Sequence, residues 1–376
     1  MRIVLVGIII GIVIGVMIGA TVVAPGLEEA RLIPEENRTA DAPGTPDAPG
    51  NAETAETAPA DFRIASLYGP DTLVLGQVPE RLVDALGAAQ TRAVSVSSAD
   101  GVASRGDLFK ALASGEFEAV FAKPEDWDSR SALLQMLSAV PFGPPPDELQ
   151  AWLIHGGGRV HLENAFRNKG VHPIPCAILP DQGASWHREA VRQTRDLEDL
   201  NVAASGLAGD VWTELGARVK TMDPKAILEA LRDAELDIAQ AGLPTMDAEH
   251  QFFRHAQHYY FPAWARPATL YILGVGLKTW KGMDDPAKLT LETACGDSIR
   301  TTLAQANTTQ FEAMKALGLS GVQIRRLPDP VLKSLRDAWK AVSGRHTQKD
   351  PGFAKAWASL HKFRRDYAIW RDINRP

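Results

Sequence analysis

From residue 61 to about 276 the chain alternates short apolar runs with longer amphipathic stretches, and that alternation admits few folds other than α/β. FRIASLYG (62–69) reads as a strand closing at a glycine, RAVSVSS (92–98) as a short strand, and EAVFA (118–122) as a buried one. Between them VPERLVDALGAA (78–89) and DLFKALASGEF (107–117) carry apolar residues at helical spacing. PDELQAWLIHGG (146–157) starts a helix behind a run of prolines. IPCAIL (174–179), LNVAAS (200–205), LDIAQAG (236–242) and TLYILGVGL (269–277) read as strands, with AGDVWTELG (208–216) and MDPKAILEALRDAEL (222–236) as helices among them. Beyond Lys288 the pattern turns helical, through LTLETACGDSIRTTLAQANTTQFEAMKALG, VLKSLRDAWKAVSG and FAKAWASLHKFRRDYAIW. Two α/β lobes with crossing strands and a long helical tail are the expectation. A ligand would then lie between the lobes, at the carboxyl ends of the strands.

The first 60 residues differ from the rest. Ile3 to Ala24 is one uncharged apolar run, which as a helix rising 1.5 Å per residue spans about 33 Å, enough for a bilayer core. Arg2 precedes it and Glu28 and Glu29 follow, so the N-terminus is expected in the cytoplasm and the bulk of the chain outside. Residues 1–24 are therefore read as a transmembrane anchor. The alternative is a signal peptide cleaved after Ala20, although such signals usually have a shorter apolar core. Gly7, Gly11, Gly15 and Gly19 recur every four residues, which puts them on one helix face and lets a second helix approach closely, as a dimer or in docking on another membrane protein. Residues 25–60 (with APGTPDAPGNAETAETAPA) lack the residues of a core and read as a disordered acidic tether. Such a coil of 36 residues reaches about 30–36 Å root-mean-square. Residues 61–376 hold the globular part.

That tether carries eight acids against two basic residues, which accounts for the whole net charge of −6. The rest of the chain is near neutral, which argues against a nucleic-acid partner. Two cysteines, Cys176 and Cys295, are no disulfide framework. One bridge between them is compatible with an oxidising compartment, and the sequence does not decide it. Glu249, His250, His255 and His258 cluster without a tight ligand motif, so no metal site is expected. His155-Gly156-Gly157-Gly158 matches an oxyanion-loop pattern, but no GxSxG nucleophile elbow accompanies it, and the glycines are better explained as a helix end. No dinucleotide fingerprint or Walker A motif occurs. No enzyme and no cofactor are expected.

Several landmarks in order resemble one family. They are Pro141-Phe142-Gly143, the Ala151-Trp152 to Gly158 helix end, Pro175-Cys176, Trp186, DLxxLxVxxSGLxGxV at 196–211, ALxxxELDIAQ at 230–240, the run Tyr259-Tyr260-Phe261-Pro262-Ala263-Trp264, and Trp280. Through them residues 61–376 resemble the periplasmic solute-binding subunits of tripartite ATP-independent periplasmic (TRAP) transporters, of the dicarboxylate-receptor type. The resemblance implies a two-lobed fold like that of type II periplasmic binding proteins, with a long hinge helix. It also implies closure on a small organic acid and delivery to a membrane permease from the periplasmic side of the inner membrane.

The chain departs from that family at three positions. The carboxylate-binding arginine aligns with Ala203, a common glutamate with Gln240, and a common asparagine with Gly276. A buried carboxylate needs a charge partner or several hydrogen bonds, so either another cation serves or the ligand differs. Arg188, Arg266 and Lys278 are the cations nearby in sequence. The expected ligand-binding residues are Tyr68, Trp127, Phe142, Trp186, Ala203, Gln240, Tyr260, Trp264 and Gly276; the aromatics among them would shape a cleft or pack the lobes. The leading expectation is a solute-binding subunit of a TRAP-type system. A divergent membrane-anchored receptor domain, acting as a sensory or accessory protein, is the alternative.

Overall fold

The computed structural model describes residues 62–88, 94–98 and 108–374. The anticipated anchor with Gly7, Gly11, Gly15 and Gly19, and the anticipated tether, lie outside the described residues. Among the described residues no helix is long and apolar enough to cross a membrane.

Among the described residues, eleven strands form two sheets. In chain order they are β1 (Phe62–Ser66), β2 (Val94–Ser98), β3 (Ala119–Ala122), β4 (Val171–Leu179), β5 (Ser185–His187), β6 (Asn201–Ala203), β7 (Arg218–Lys220), β8 (Ile238–Gln240), β9 (His258–Phe261), β10 (Thr269–Gly276) and β11 (Gln323–Arg326). The first sheet has the order β2-β1-β3-β10-β4 and the second β11-β9-β5-β8-β6-β7. β1 runs parallel to β2 and β3, while β10 lies antiparallel between β3 and β4. All eight residues of β10 are buried. A strand covered on both faces has no polar face to show, which is why TLYILGVG is continuously apolar.

The two sheets are the cores of two lobes, and the chain crosses between them three times before its terminal helices. It leaves the first lobe between β4 and β5 and returns between β9 and β10. It leaves again through the 35-residue helix Asp285–Leu319, after which β11 pairs in parallel with β9. Asp284 caps that helix by accepting the Ala287 amide at 2.8 Å. Its buried residues include Ala287, Leu291, Cys295, Ile299, Thr302 and Ala306, a stripe three and four apart. This stripe packs on β4 and on helix Gln77–Ala88 of the first lobe, and the helix continues to Pro244–His250 of the second. Cys176 on β4 and Cys295 on the helix form a disulfide.

Two terminal helices straddle the lobes. Asp329–Lys349 packs on helix Gly206–Glu214 of the second lobe, with His346 Nε2 2.8 Å from Asp210 Oδ2 and an Arg345–Glu214 ion pair at 2.6 Å. Pro351–Asn374 packs on the first lobe's helices Ala132–Ser138, Pro146–His155 and Gly158–Arg167. There Arg364 donates to the fully buried Glu148 at 2.8 Å. The glycines after His155 end one helix and begin the next. Gly157, at φ 87°, takes the left-handed turn between them.

Candidate cleft site

β6 and β8 are neighbouring parallel strands of the second sheet, and their carboxyl ends deliver Ala203 and Gln240 to the same place. Together with Ala204, Ser205, Met222, Ile227 and Arg266 they line a cavity of about 130 Å³. Ala203 is 1% exposed. The Gln240 amide is buried with neither its oxygen nor its nitrogen hydrogen-bonded. A buried amide without partners is costly, and both of its atoms belong to a residue that faces the cavity.

Arg266 supplies the cavity's positive charge. It lies on the crossing between β9 and β10, where Gln182 of the other crossing donates its amide N–H to the Arg266 carbonyl at 3.3 Å. The Gln182 side chain in turn donates to Thr269 Oγ1 at 3.1 Å, so the two crossings are tied together beneath the guanidinium. Arg266 donates to Ser205 Oγ at 3.3 Å and stands 3.7 Å from Glu125 Oε1. Glu125 comes from the first lobe, on the turn Pro124–Trp127 after β3. Lys123 Nζ lies 2.5 Å from the same Glu125 oxygen and 3.7 Å from Asp126. Burial pushes the Tyr271 hydroxyl pKa well up, and Arg266 opposes that shift.

The structure brings together only some of the residues singled out from sequence. Ala203 and Gln240 line the cavity. Tyr68 lies beside the first-lobe charges and donates to Asp126 Oδ2 at 3.0 Å. The remaining aromatics are packing residues by their surroundings. Trp127 is 1% exposed and sits edge-on to Phe166; a Cβ at Gly274 would stand 2.4 Å from its ring, so β10 needs glycine there. Phe142 lies against Trp264 and under Arg336, lining a separate hollow by the terminal helices. Trp264 is wedged between Phe142 and Trp212. Tyr260 is fully buried, and its hydroxyl accepts the Val191 amide at 2.8 Å. Trp186 stacks on Tyr259 at 4.0 Å, and both donate to Asp247 Oδ2 at 2.9 Å. Gly276 ends β10 and lines a different hollow, shared with Lys278, at the far end of the first sheet. Arg188 is engaged with the Leu231 carbonyl.

Asp247 buttresses the cavity from behind. Its Oδ1 accepts the Gly242 amide at 2.9 Å, two residues after Gln240. Burial raises its carboxyl to about 6, although the donors Trp186, Gly242 and Tyr259 pull the other way. Among the described residues no group of three or more His, Cys, Asp or Glu side chains gathers as metal ligands.

Known proteins share this architecture. The monocarboxylate 2-oxoacid-binding periplasmic protein of Nostoc sp. (strain PCC 7120) is 24% identical over 267 residues, covering 71% of this chain and 73% of the relative. A TRAP periplasmic solute-binding protein from Pseudoalteromonas atlantica T6c, solved with bound sodium and pyruvate, superimposes with a TM-score of 0.77 at 23% identity, over 83% of this chain and 96% of that one. One from Colwellia psychrerythraea, solved with calcium and pyruvate, gives 0.78 at 21% identity over 83% and 96%. The family model described as bacterial extracellular solute-binding protein, family 7, matches residues 93–350, and the chain belongs to that family of TRAP solute-binding proteins rather than to an enzyme family.

Proposed function

We propose that this chain is the solute-binding subunit of a TRAP-type transport system, and that the cavity at Ala203, Gln240 and Arg266 is its ligand cleft. The carrying observation is Arg266, a guanidinium at a cavity where the buried Gln240 amide has no partner among the described residues. With Ala203 offering no charge, Arg266 is the cation that takes the place of the family's strand-borne arginine. A carboxylate lying between Arg266, Ser205 and Gln240 would gain a charge-assisted pair and satisfy the amide. The volume of about 130 Å³ is well below that of sites for drug-sized ligands, roughly 300–1,000 Å³, which favours an acid of few heavy atoms. The Nostoc relative, named for monocarboxylate 2-oxoacids, points to the same class.

The Pseudoalteromonas and Colwellia proteins were solved with a bound cation as well as pyruvate. The lining here does not fit one: among the described residues it has no carboxylate, and Arg266 already brings a positive charge, whereas hard cations take several oxygen ligands. The organic acid is therefore read as binding Arg266 directly, and the captured solute as passing to a membrane permease. The anchor at 1–24, its glycine-faced packing, and the tether at 25–60 complete this reading. Membrane fractionation with N-terminal mass analysis tests them, and a soluble mature chain beginning near Thr21 would refute the anchor.

Calorimetry with pyruvate tests the cleft. A charge-assisted hydrogen bond is worth about 1.5–3 kcal/mol, so Arg266→Met should weaken binding roughly ten- to hundredfold. Undiminished affinity in that variant would sink the assignment.

A further inference from the structure

The cavity at Arg266 has two unlike walls. One is polar, made of Arg266, Ser205 and Gln240, and the other is Ala203, Ala204, Met222 and Ile227. The second wall continues a core. Ala203 belongs to an apolar cluster of the second lobe with Trp186, Ala230 and Leu231, and Met222 and Ile227 pack against that cluster. The wall is also fixed in place. β6 pairs in parallel with β7, setting Ala203 opposite Lys220. Just beyond, the Ala204 amide donates to the Lys220 carbonyl at 3.1 Å, and Thr221 Oγ1 donates to the Ala204 carbonyl at 3.2 Å. These bonds hold the chain beside the cavity up to Met222. Asp223 then caps helix Pro224–Arg232, accepting the Ala226 amide at 2.9 Å. Met222 precedes the cap and Ile227 is the fourth residue of the helix, the spacing of a hydrophobic staple. Among the described residues Arg266 is the one charged side chain in the cavity's lining. A carboxylate on Arg266 is therefore paired, but a second carboxylate on the same ligand would meet methyl and methylene groups. An unpaired charge is heavily penalised there, whereas a hydrocarbon chain gains by leaving water.

We propose that the wall of Ala203, Met222 and Ile227 receives the ligand's hydrocarbon tail, so that the receptor selects monocarboxylates bearing a short alkyl chain over both pyruvate and dicarboxylates. The proposal rests on the reading of Arg266 as the acid's partner, and adds a separate claim about the opposite end of the ligand. Each methylene that leaves water against this wall tightens binding about fourfold. The gain stops when the cavity of about 130 Å³ is full, which limits the tail to a few carbons. Ala203 sets the depth of the wall, because its methyl is the smallest side chain that still keeps β6 apolar. Met222 and Ile227 set its width.

Calorimetry on the purified chain tests this with pyruvate, 2-oxobutanoate, 2-oxopentanoate and 2-oxoglutarate, which share one 2-oxoacid head. Affinity should rise about fourfold with each methylene along the first three. 2-Oxoglutarate, as long as 2-oxopentanoate but ending in a second carboxylate, should bind roughly a hundredfold more weakly than it. Ala203→Val, which narrows the place of the tail, should erase the advantage of 2-oxopentanoate over pyruvate. Ile227→Ala, on the half-buried first turn of its helix, should shrink the same ratio without altering the strand. Affinity that stays level or falls from pyruvate to 2-oxopentanoate overturns the proposal. So does 2-oxoglutarate matching 2-oxopentanoate, a ratio unmoved in both variants with an intact circular dichroism spectrum, or a wild type that binds none of the four. Arg266→Met separates the two readings. Weaker binding of all four acids with the chain-length ratio kept supports both. Undiminished binding by Arg266→Met, with the ratio still erased by Ala203→Val, sinks the arginine assignment and leaves the tail wall standing.

Discussion

Replacing Asp247 by asparagine should alter the pH dependence of stability more than the stability at any one pH. Asp247 is 1% exposed and accepts from Trp186, Tyr259 and Gly242, all at 2.9 Å. None of those donors carries a charge, so burial dominates and the carboxyl pKa rises from 3.8 to about 6. The native state therefore holds this proton over a pH range in which the unfolded chain has released it. The stability contributed is fully present below about pH 4 and is lost as pH rises through about 6. A shift of about two units at 1.36 kcal/mol per unit gives about 3 kcal/mol. An asparagine amide cannot ionise, so the variant lacks this component. Urea unfolding of both proteins at intervals between about pH 4 and 7.5 isolates it, because other groups titrate alike in the two. The stability difference, wild type minus Asp247→Asn, should fall by about 3 kcal/mol from the acid to the neutral end. The hydrogen-bond cost of the substitution shifts the whole curve without changing its slope. A difference flat across that range would mean that Asp247 ionises as it does in water. The buttress behind Gln240 would then be wet rather than buried.

Two more predictions concern the hinge region and the cleft. The Cys176–Cys295 bridge closes a separation of 119 residues; in the chain-entropy account such a loop is worth about 4–5 kcal/mol, so replacing both cysteines with serine should lower the urea midpoint by a corresponding amount. A midpoint unmoved in oxidising buffer would show that the helix and β4 need no staple. Ala203→Arg should lower the thermal midpoint of the empty protein and fail to improve pyruvate binding, since a second guanidinium enters a cavity of about 130 Å³ already facing Arg266. The same substitution combined with Arg266→Met should recover affinity, and calorimetry showing tight binding by Ala203→Arg alone would contradict the crowding argument.

The fold was readable wherever burial imposed a period. β1, β2, β3, β4, β6, β8, β10 and the helical tail follow apolar runs, whereas β5 and β7, of three residues each, are too short to show a period, and β9 stood out only as an aromatic run. β11 escaped because it is an edge strand whose four residues, Gln323–Arg326, are all exposed. Its pairing with β9 satisfies backbone groups and leaves no mark on side-chain choice. Ala203 and Gln240, singled out because the family resemblance sets an arginine and a glutamate there, end neighbouring parallel strands and line one cavity. The large aromatics, read as shaping a cleft or packing the lobes, lie buried among other rings. Trp186, Tyr260 and Trp264 bury as much surface in a core as in a cleft, and composition does not distinguish the two. Arg266 stood out only as one of three nearby cations. It lies on an irregular crossing, and a loop has no periodicity from which a side chain's direction can be read.

Where the cationic group sits changes how binding couples to motion. An arginine at position 203 would ride on β6, well inside the second lobe, and would pull a ligand into that lobe whether or not the lobes had met. Arg266 rides instead on a crossing, with its carbonyl bonded to Gln182 of the other crossing, its guanidinium on Ser205 of the second lobe, and Glu125 of the first lobe beside it. Any rotation of one lobe on the other must shift at least one of those partners. In the proposed receptor the charge that recognises the acid and the charge that reports lobe position are the same, so a ligand binding Arg266 bears on the open–closed equilibrium without an intermediary. The terminal helices span the same two lobes, one fastened to the second through Asp210 and Glu214 and the other to the first through Glu148, so any movement of the lobes also bears on the turn that joins these helices.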